Sequence, residues 1–424
     1  YNGGTHLPDI TVVSPVFDDA GKAVLFWVAS RGHHADVGGT APGSMTPLAT
    51  TVDEEGVLID NFKLVEDGQF REQALHDLLL DHPYPVRNVV QNIADLKAQV
   101  AANARGATEL RRMVTDFGLD VVQAYMQHVQ DNAAEEVRRL LGRLNDCAYA
   151  YETDTGQVIR VKITVDRAAR EATVDFTGTS EAMANNFNAP EPVTRAAVLY
   201  VFRVMVESPI PMNAGCLRPI RIIVPQGCML APQYPRAVVA GNVETSQHVT
   251  NCLFGALGAL ANSQGTMNNL TFGNATYQYY ETLCSGSPAG VMNDGRGFDG
   301  TSGVHVHMTN SRLTDPEVLE LRFPVLLEEF GLRPGSGGVG RFTAGDGTQR
   351  TLRFLERMDC AILSSHRGRP PQGINGGGDG QVGHTRVRRL DGRIEELPAC
   401  AQTVLEAGEA VTVITPTSGG WGER

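Results

Sequence analysis

Three imidazoles and two carboxylates crowd two short stretches of the chain. His6 and Asp9 stand in GGTHLPD (residues 3–9), and His33, His34 and Asp36 in SRGHHAD (residues 30–36). Imidazole with carboxylate suits a divalent ion such as Zn, Mn, Fe or Ni. Three protein ligands with open positions are the pattern of a catalytic site more than a structural one. The two stretches flank β-rich runs at residues 10–17 and 23–30. Between these lies Asp18-Asp19-Ala20-Gly21-Lys22, a turn signal. A hairpin symmetric about positions 19–20 pairs residues whose numbers sum to about 39. That register sets His6 opposite His33 and Asp9 opposite Ser30, so two imidazoles and a carboxylate converge at the open end. His6, Asp9 and His33 are therefore the candidate metal ligands. His34 is the alternative to His33, and His34 and Asp36 are candidates for a catalytic or orienting role beside them. The bland alternative is histidines that satisfy loop carbonyls at strand ends. Register decides between the two, because a one-residue slip turns side chains to the other face.

Other stretches carry weaker signals. Residues 335–340 match GxGxxG, but Arg341-Phe342-Thr343-Ala344-Gly345 follows instead of a helix, so a tight glycine loop is expected, not a dinucleotide site. The sequence holds no GxxxxGK[ST], HExxH or GxSxG, which leaves a nucleotide P-loop and a serine hydrolase unsupported. In residues 303–310, His305 and His307 fall on one face of an expected strand, where a metal and a buried polar core are equally good readings. The polar run GNVETSQ (residues 241–247) precedes an apolar helix, and a cap from Thr245 or Ser246 accounts for part of it. Asn185-Asn186 and Asn268-Asn269 read as turns.

The elements that must position these groups form an α+β chain. A strand-rich N-terminal hairpin and loop region spans 1–67, a helical segment spans 68–145, and a mixed α/β core with a glycine-rich C-terminal β region spans 146–424. Within the second, Gly118 separates two helices. Within the third, strands are expected at 158–165, 171–176, 220–224, 350–356, 359–364 and 410–414, and helices at 193–206 and 247–262. With 424 residues, 42% of them hydrophobic, the chain can bury a large core. A net charge of −12 argues against nucleic-acid or anionic-membrane partners, and no apolar run is long enough to span a bilayer. Seven cysteines without a CxxC pair point to a reducing, cytoplasmic setting. The start at Tyr1-Asn2-Gly3-Gly4, inside a motif and without Met, suggests a piece of something longer.

GGTHLPD and SRGHHAD, with NAPEPVT, GNVETSQ, SQGTMNNLTFG, HMTNSRLTDPEVLE and RPGSGGVGRF in that order, resemble the hydantoinase B/oxoprolinase family along the whole chain. FKLVEDGQF, NIADLKAQVAAN and GLDVVQAYMQHVQ are most similar to the C-terminal part of the 5-oxoprolinases. The resemblance implies a division of labour. A hydantoinase-A-type subunit or domain binds ATP and phosphorylates a small cyclic amide. The B-type part carries a divalent metal (Zn, Mn or Mg) and completes ring opening, within a hetero-oligomer. The family's HxxD-and-later-His motif maps onto His6, Asp9 and His33. Relatives carry an acidic residue reaching the metal from a segment before GGTHLPD. Two other functions fit: the B-type subunit of an acetone- or acetophenone-type carboxylase, and a non-catalytic assembly subunit whose metal only staples the hairpin.

Overall fold

A computed structural model describes Tyr1 and residues 3–424. Strand β1 (Asp9–Phe17) pairs antiparallel with β2 (Val24–His33). Alternation along β1 buries Val12 and Val16 and leaves Val13 and Pro15 less covered, and Phe26 of β2 joins the buried face. That face rests on α2 (Val89–Phe117), which Asn88 caps by accepting from the Gln91 amide. Its polar anchors are unusual. Gln99 Nε2 donates to the Ile10 and Ser30 carbonyls, and Asn103 Nδ2 to the Val12 carbonyl. Side-chain amides thus satisfy strand carbonyls that the close helix shields from water. At Gly106 a Cβ would meet Val28 Cγ1 at 2.8 Å, so any larger residue would force the Val28 side chain or the helix to shift. The helix α1 (Glu72–Leu80) packs beside it through Leu75 and Leu79. Gly118, at φ +84, breaks α2 from α3 (Leu119–Leu141), as the sequence led one to expect.

Beyond the helices, a four-stranded sheet takes Cys147–Glu152, Val158–Asp166, Glu171–Asp175 and Ile220–Ile223 in that order, with only the last pairing parallel. It packs with α3, α4 (Glu191–Met205) and α5 (Ser246–Leu257) around Phe176, Phe202 and Phe254 in the largest apolar core. A second core lies between two antiparallel sheets. One runs Gln278–Glu281, Asn269–Gly273, Met358–Leu363, Cys400–Leu405. The other runs Val325–Leu332, Thr348–Phe354, Ala410–Ile414, His384–Arg388, Ile394–Leu397. The fold is α+β, as expected. Every strand and helix expected by number in the last 280 or so residues has a counterpart, though the helix expected at 247–262 stops at Leu257, where Gly258 takes a left-handed cap. The glycine-rich 335–340 stretch is a loop.

Four expectations fail. Asn268-Asn269 is not a turn, because Asn269 opens the strand Asn269–Gly273 and pairs with Leu363. The hairpin register pairs Asp9 with His33 and Val12 with Ser30, not Asp9 with Ser30. The turn is longer than its symmetry suggests: Asp18 Oδ1 accepts from the Lys22 and Ala23 amides, and the ladder shifts at Val16/Phe17. Residues 303–310 do not form a strand, and His307 takes φ +56. Residues 241–247 are not a capped start to α5. Gly241–Thr245 is a single π-helical turn running straight into it, and Thr245 Oγ1 donates to the Phe187 carbonyl instead.

Candidate metal centre

His6 does not belong to the hairpin ladder. It sits in a tight turn before β1, where the Asp9 amide donates to the His6 carbonyl and the Ile10 amide to the Pro8 carbonyl. The turn folds His6 back over the strand end, and strand pairing brings His33 beside Asp9. The three side chains converge so that one ligating atom from each lies within 4.8 Å of the others. His33 Nδ1 is 3.1 Å from Asp9 Oδ1, and His6 Nε2 is 3.3 Å from the same oxygen. The two rings stand 5.2 Å apart.

Hydrogen bonding around the trio is lopsided. Asp9 is fully engaged: Oδ2 also accepts from Asn242 Nδ2 at 3.0 Å and Thr5 Oγ1 at 3.3 Å. His6 is buried, yet neither ring nitrogen makes a well-aligned hydrogen bond; its nearest acceptors are the Asp9 carboxylate and the Val239 backbone. An imidazole hidden from water with both nitrogens unmatched costs free energy unless something else binds it. A divalent cation fits that need and this donor set. Burial lowers the His6 pKa against the opposing pull of Asp9, which favours the neutral ring that a metal requires. Burial works against the Asp9 charge, but His33 and His6 outweigh it and hold that carboxyl well below its usual range.

The trio floors an open cleft of about 490 Å³. Val243, Met267 and Met308 supply apolar lining, and residues 309–312 with Thr314 also line it. Tyr280 lies 5.3 Å from His33 ring to ring, and its hydroxyl donates to Asn269. Asn269 in turn donates to Glu244, on the same π turn that delivers Asn242. π turns of this kind recur at functional sites, because they bulge one residue out of helical register. Asn242 and Tyr280 were not anticipated. The only signal was the polar run at 241–247, and capping was a sufficient explanation for it.

His34 and Asp36 lie elsewhere. His34 is buried against α2, with Nε2 to Gln99 Oε1 and Nδ1 to Asn92 Nδ2, both at 3.1 Å. Asp36 pairs with Arg87 at 2.8 Å and accepts from the Gly38, Gly43 and Arg87 amides. Both have their hydrogen-bond partners elsewhere, and the side chains that hydrogen-bond Asp9 from outside the trio are Asn242 and Thr5. His305 and His307 also stay apart; His307 packs between Tyr200 and Phe254. A buried Ser365 bridges His248 Nε2 and Glu244 Oε2, at 3.0 and 2.8 Å. Its hydroxyl is buried and already directed at the Glu244 carboxyl and the Gly265 carbonyl, a polar knot within the core.

The hydantoinase B/oxoprolinase family model matches residues 1–424. The chain belongs to that family. Among curated relatives, 5-oxoprolinase 1 of Arabidopsis thaliana is 45% identical over 449 residues, which take in all of this chain and 35% of the relative. The chain spans about a third of the length of the first curated relatives it matches. Among solved structures, the ATP-dependent caprolactamase of Pseudomonas jessenii superposes with a TM-score of 0.84 at 24% identity, over 99% of this chain and 75% of that one. A nucleotide-free acetone carboxylase gives 0.85 at 14% identity, over 98% and 63%. At these identities the two structures speak for the fold alone. Among the described residues no helix is long and apolar enough to cross a membrane.

Proposed function

We propose that this family member is the metal-bearing part of an ATP-dependent cyclic-amide hydrolase of the 5-oxoprolinase type. One observation carries the metal half of the reading: His6, buried and unmatched at both nitrogens, meets Asp9 and His33 at the floor of an open cleft. The curated relatives named as 5-oxoprolinases support the reaction class.

A planar, resonance-stabilised amide in a relaxed five-membered ring resists attack by water. Phosphorylation of its oxygen by a hydantoinase-A-type domain or subunit converts that oxygen into a leaving group. His6, Asp9 and His33 would hold a divalent ion, which when bound would supply Lewis acidity and lower the pKa of a water toward neutrality. The chain's own residues set the stage. Asn242 and Thr5 fix the Asp9 carboxylate, leaving Oδ1 directed at both imidazoles. Val243, Met267 and Met308 keep bulk water off one side of the ring. Addition of water at the activated carbon forms a C–O bond. The ring C–N bond then breaks as the nitrogen takes up a proton, leaving an acyl phosphate, and a second water converts that to the carboxylate and releases inorganic phosphate. The exposed apolar side chains Val13 and Trp27 on the outer hairpin face, and Phe117 and Tyr125 at the α2–α3 turn, suit packing against an A-type partner.

The test has two arms, on the chain together with its ATP-binding part. Elemental analysis is expected to find about one divalent ion per chain, absent from His6→Ala. Hydrolysis assays over 5-oxoproline, hydantoin and neutral lactams are expected to show ring opening only with ATP. Equal metal in wild type and His6→Ala rejects the site, and ATP-dependent carboxylation of a ketone without lactam hydrolysis rejects the reaction.

A further inference from the structure

The cleft carries one cation that the metal chemistry does not use. Arg312 lines the same cleft as the trio and is the only arginine or lysine among the described residues that line it. It has no ion pair or hydrogen bond among the described residues. The other charges of the cleft are already matched. Asp9 is held by two imidazoles, Asn242 and Thr5. Glu281 makes a two-point pair with Arg350 at 2.9 and 3.1 Å. The loop that presents Arg312 is anchored just beyond it. Thr314 Oγ1 accepts from Tyr279 at 3.0 Å, and Asp315 caps the helix Pro316–Arg322 by accepting from the Glu317 and Val318 amides. A guanidinium on an anchored loop, lining the same small cleft as a candidate metal trio, suits a two-point binding site.

Resting on the reading above, we propose that Arg312 binds the carboxylate of the cyclic amide and selects lactams bearing an acid next to the ring nitrogen over neutral ones. The reacting carbonyl then points at His6, Asp9 and His33, the ring methylenes lie on Val243, Met267 and Met308, and the carboxylate faces the fork of Arg312. The same guanidinium could instead hold the phosphoryl group of the activated amide, and the substrate pair below separates the two.

The chain is assayed with its ATP-binding part on 5-oxoproline and on its carboxamide, a neutral molecule of nearly the same shape. Arg312→Gln is expected to raise KM for 5-oxoproline roughly 10- to 100-fold, the range of a lost charged hydrogen bond. The carboxamide constants should move less than threefold, by the same reckoning. Arg312→Lys should restore part of the loss, since it keeps the charge without the fork. Calorimetric titration of the metal-loaded assembly with 5-oxoproline, without ATP, should show the same weakening. Equal damage to both substrates assigns Arg312 to the phosphoryl group and overturns the proposal, as does an unchanged KM for 5-oxoproline or no binding by the wild type. Arg312-dependent binding without turnover would keep this inference while removing the proposed reaction. Turnover indifferent to Arg312 would do the reverse.

Discussion

The front and back of the hairpin's open end hold the same donor chemistry in different surroundings. On the front, His33 is partly exposed and shares Asp9 with His6, whose nitrogens find no matched partner. On the back, one residue on, His34 is buried with a partner for each nitrogen, and Asp36 accepts from three amides and Arg87. Residue type does not separate the two sides. What does is whether the fold has already satisfied each donor and acceptor. His34 is saturated, whereas His6 is unpartnered and also converges with two other ligating groups, and it is that combination that marks a candidate binding group. The chain makes the distinction by strand alternation, which turns neighbours to opposite faces, and by placing α2, with Asn92 and Gln99, on one face only.

The strongest way to break this comparison is Asp9→Ala. It removes the group that both front imidazoles share, and near-complete loss of bound metal is expected by elemental analysis. Retention of stoichiometric metal would mean that the front is no more a ligand set than the back. Asn242→Ala probes a gentler dependence, since it frees Asp9 Oδ2 while leaving all three candidate ligands. A 10- to 100-fold weaker metal affinity is expected, the usual penalty for losing a group that orients a ligand. Competition with a chromophoric chelator measures it, and an unchanged affinity would reduce Asn242 to a bystander. His34→Ala should do the opposite of these two. Metal content stays at the wild-type level, while stability falls by about 1–3 kcal/mol because Asn92 and Gln99 lose a buried partner. Denaturant unfolding reads the second effect, and loss of metal without loss of stability would reverse the assignment of the two faces.

Much of this site was legible in advance because its donors are close in sequence and flank a hairpin. His6, Asp9 and His33 follow from residue chemistry and a turn signal. The route to them did not. A turn extended by the Asp18 side chain moved the register by three, so Asp9, not His6, faces His33. His6 reaches the cluster through the His6–Asp9 turn, a local bond that no ladder arithmetic contains. The remaining parts of the cleft come from far along the chain. Asn242 and Tyr280 arrive through a π turn and a sheet edge more than 200 residues away, where single-sequence patterns report local structure and little else. For the same reason the helices and most strands were placed well, while the buried network of Glu244, Asn269 and Ser365 was invisible.

A last comparison sets Asp9 against Glu55, two carboxyls on either side of the segment that contacts His6. Asp9 is held charged by imidazoles. Glu55 is wholly buried: Oε1 accepts from the Val238 and Val239 amides at 2.8 and 2.7 Å, and Oε2 has no partner. Burial pushes its pKa up to about 8, only partly offset by those two amides. A carboxyl whose folded pKa exceeds its unfolded one binds its proton more tightly in the native state. Its contribution to stability is therefore complete below the ordinary carboxylate range, declines as pH rises, and is gone above about 8. Glu55→Gln keeps an acceptor for the two amides and places a neutral group where the proton would be. It should be nearly silent at pH 5 and should flatten the fall in stability between pH 5 and 8. Denaturant melts of chelator-treated protein across that range make the measurement, since every other titrating group is common to both proteins and cancels. Parallel pH profiles would show that Glu55 ionises freely in the folded state, and the contrast with Asp9 would then disappear.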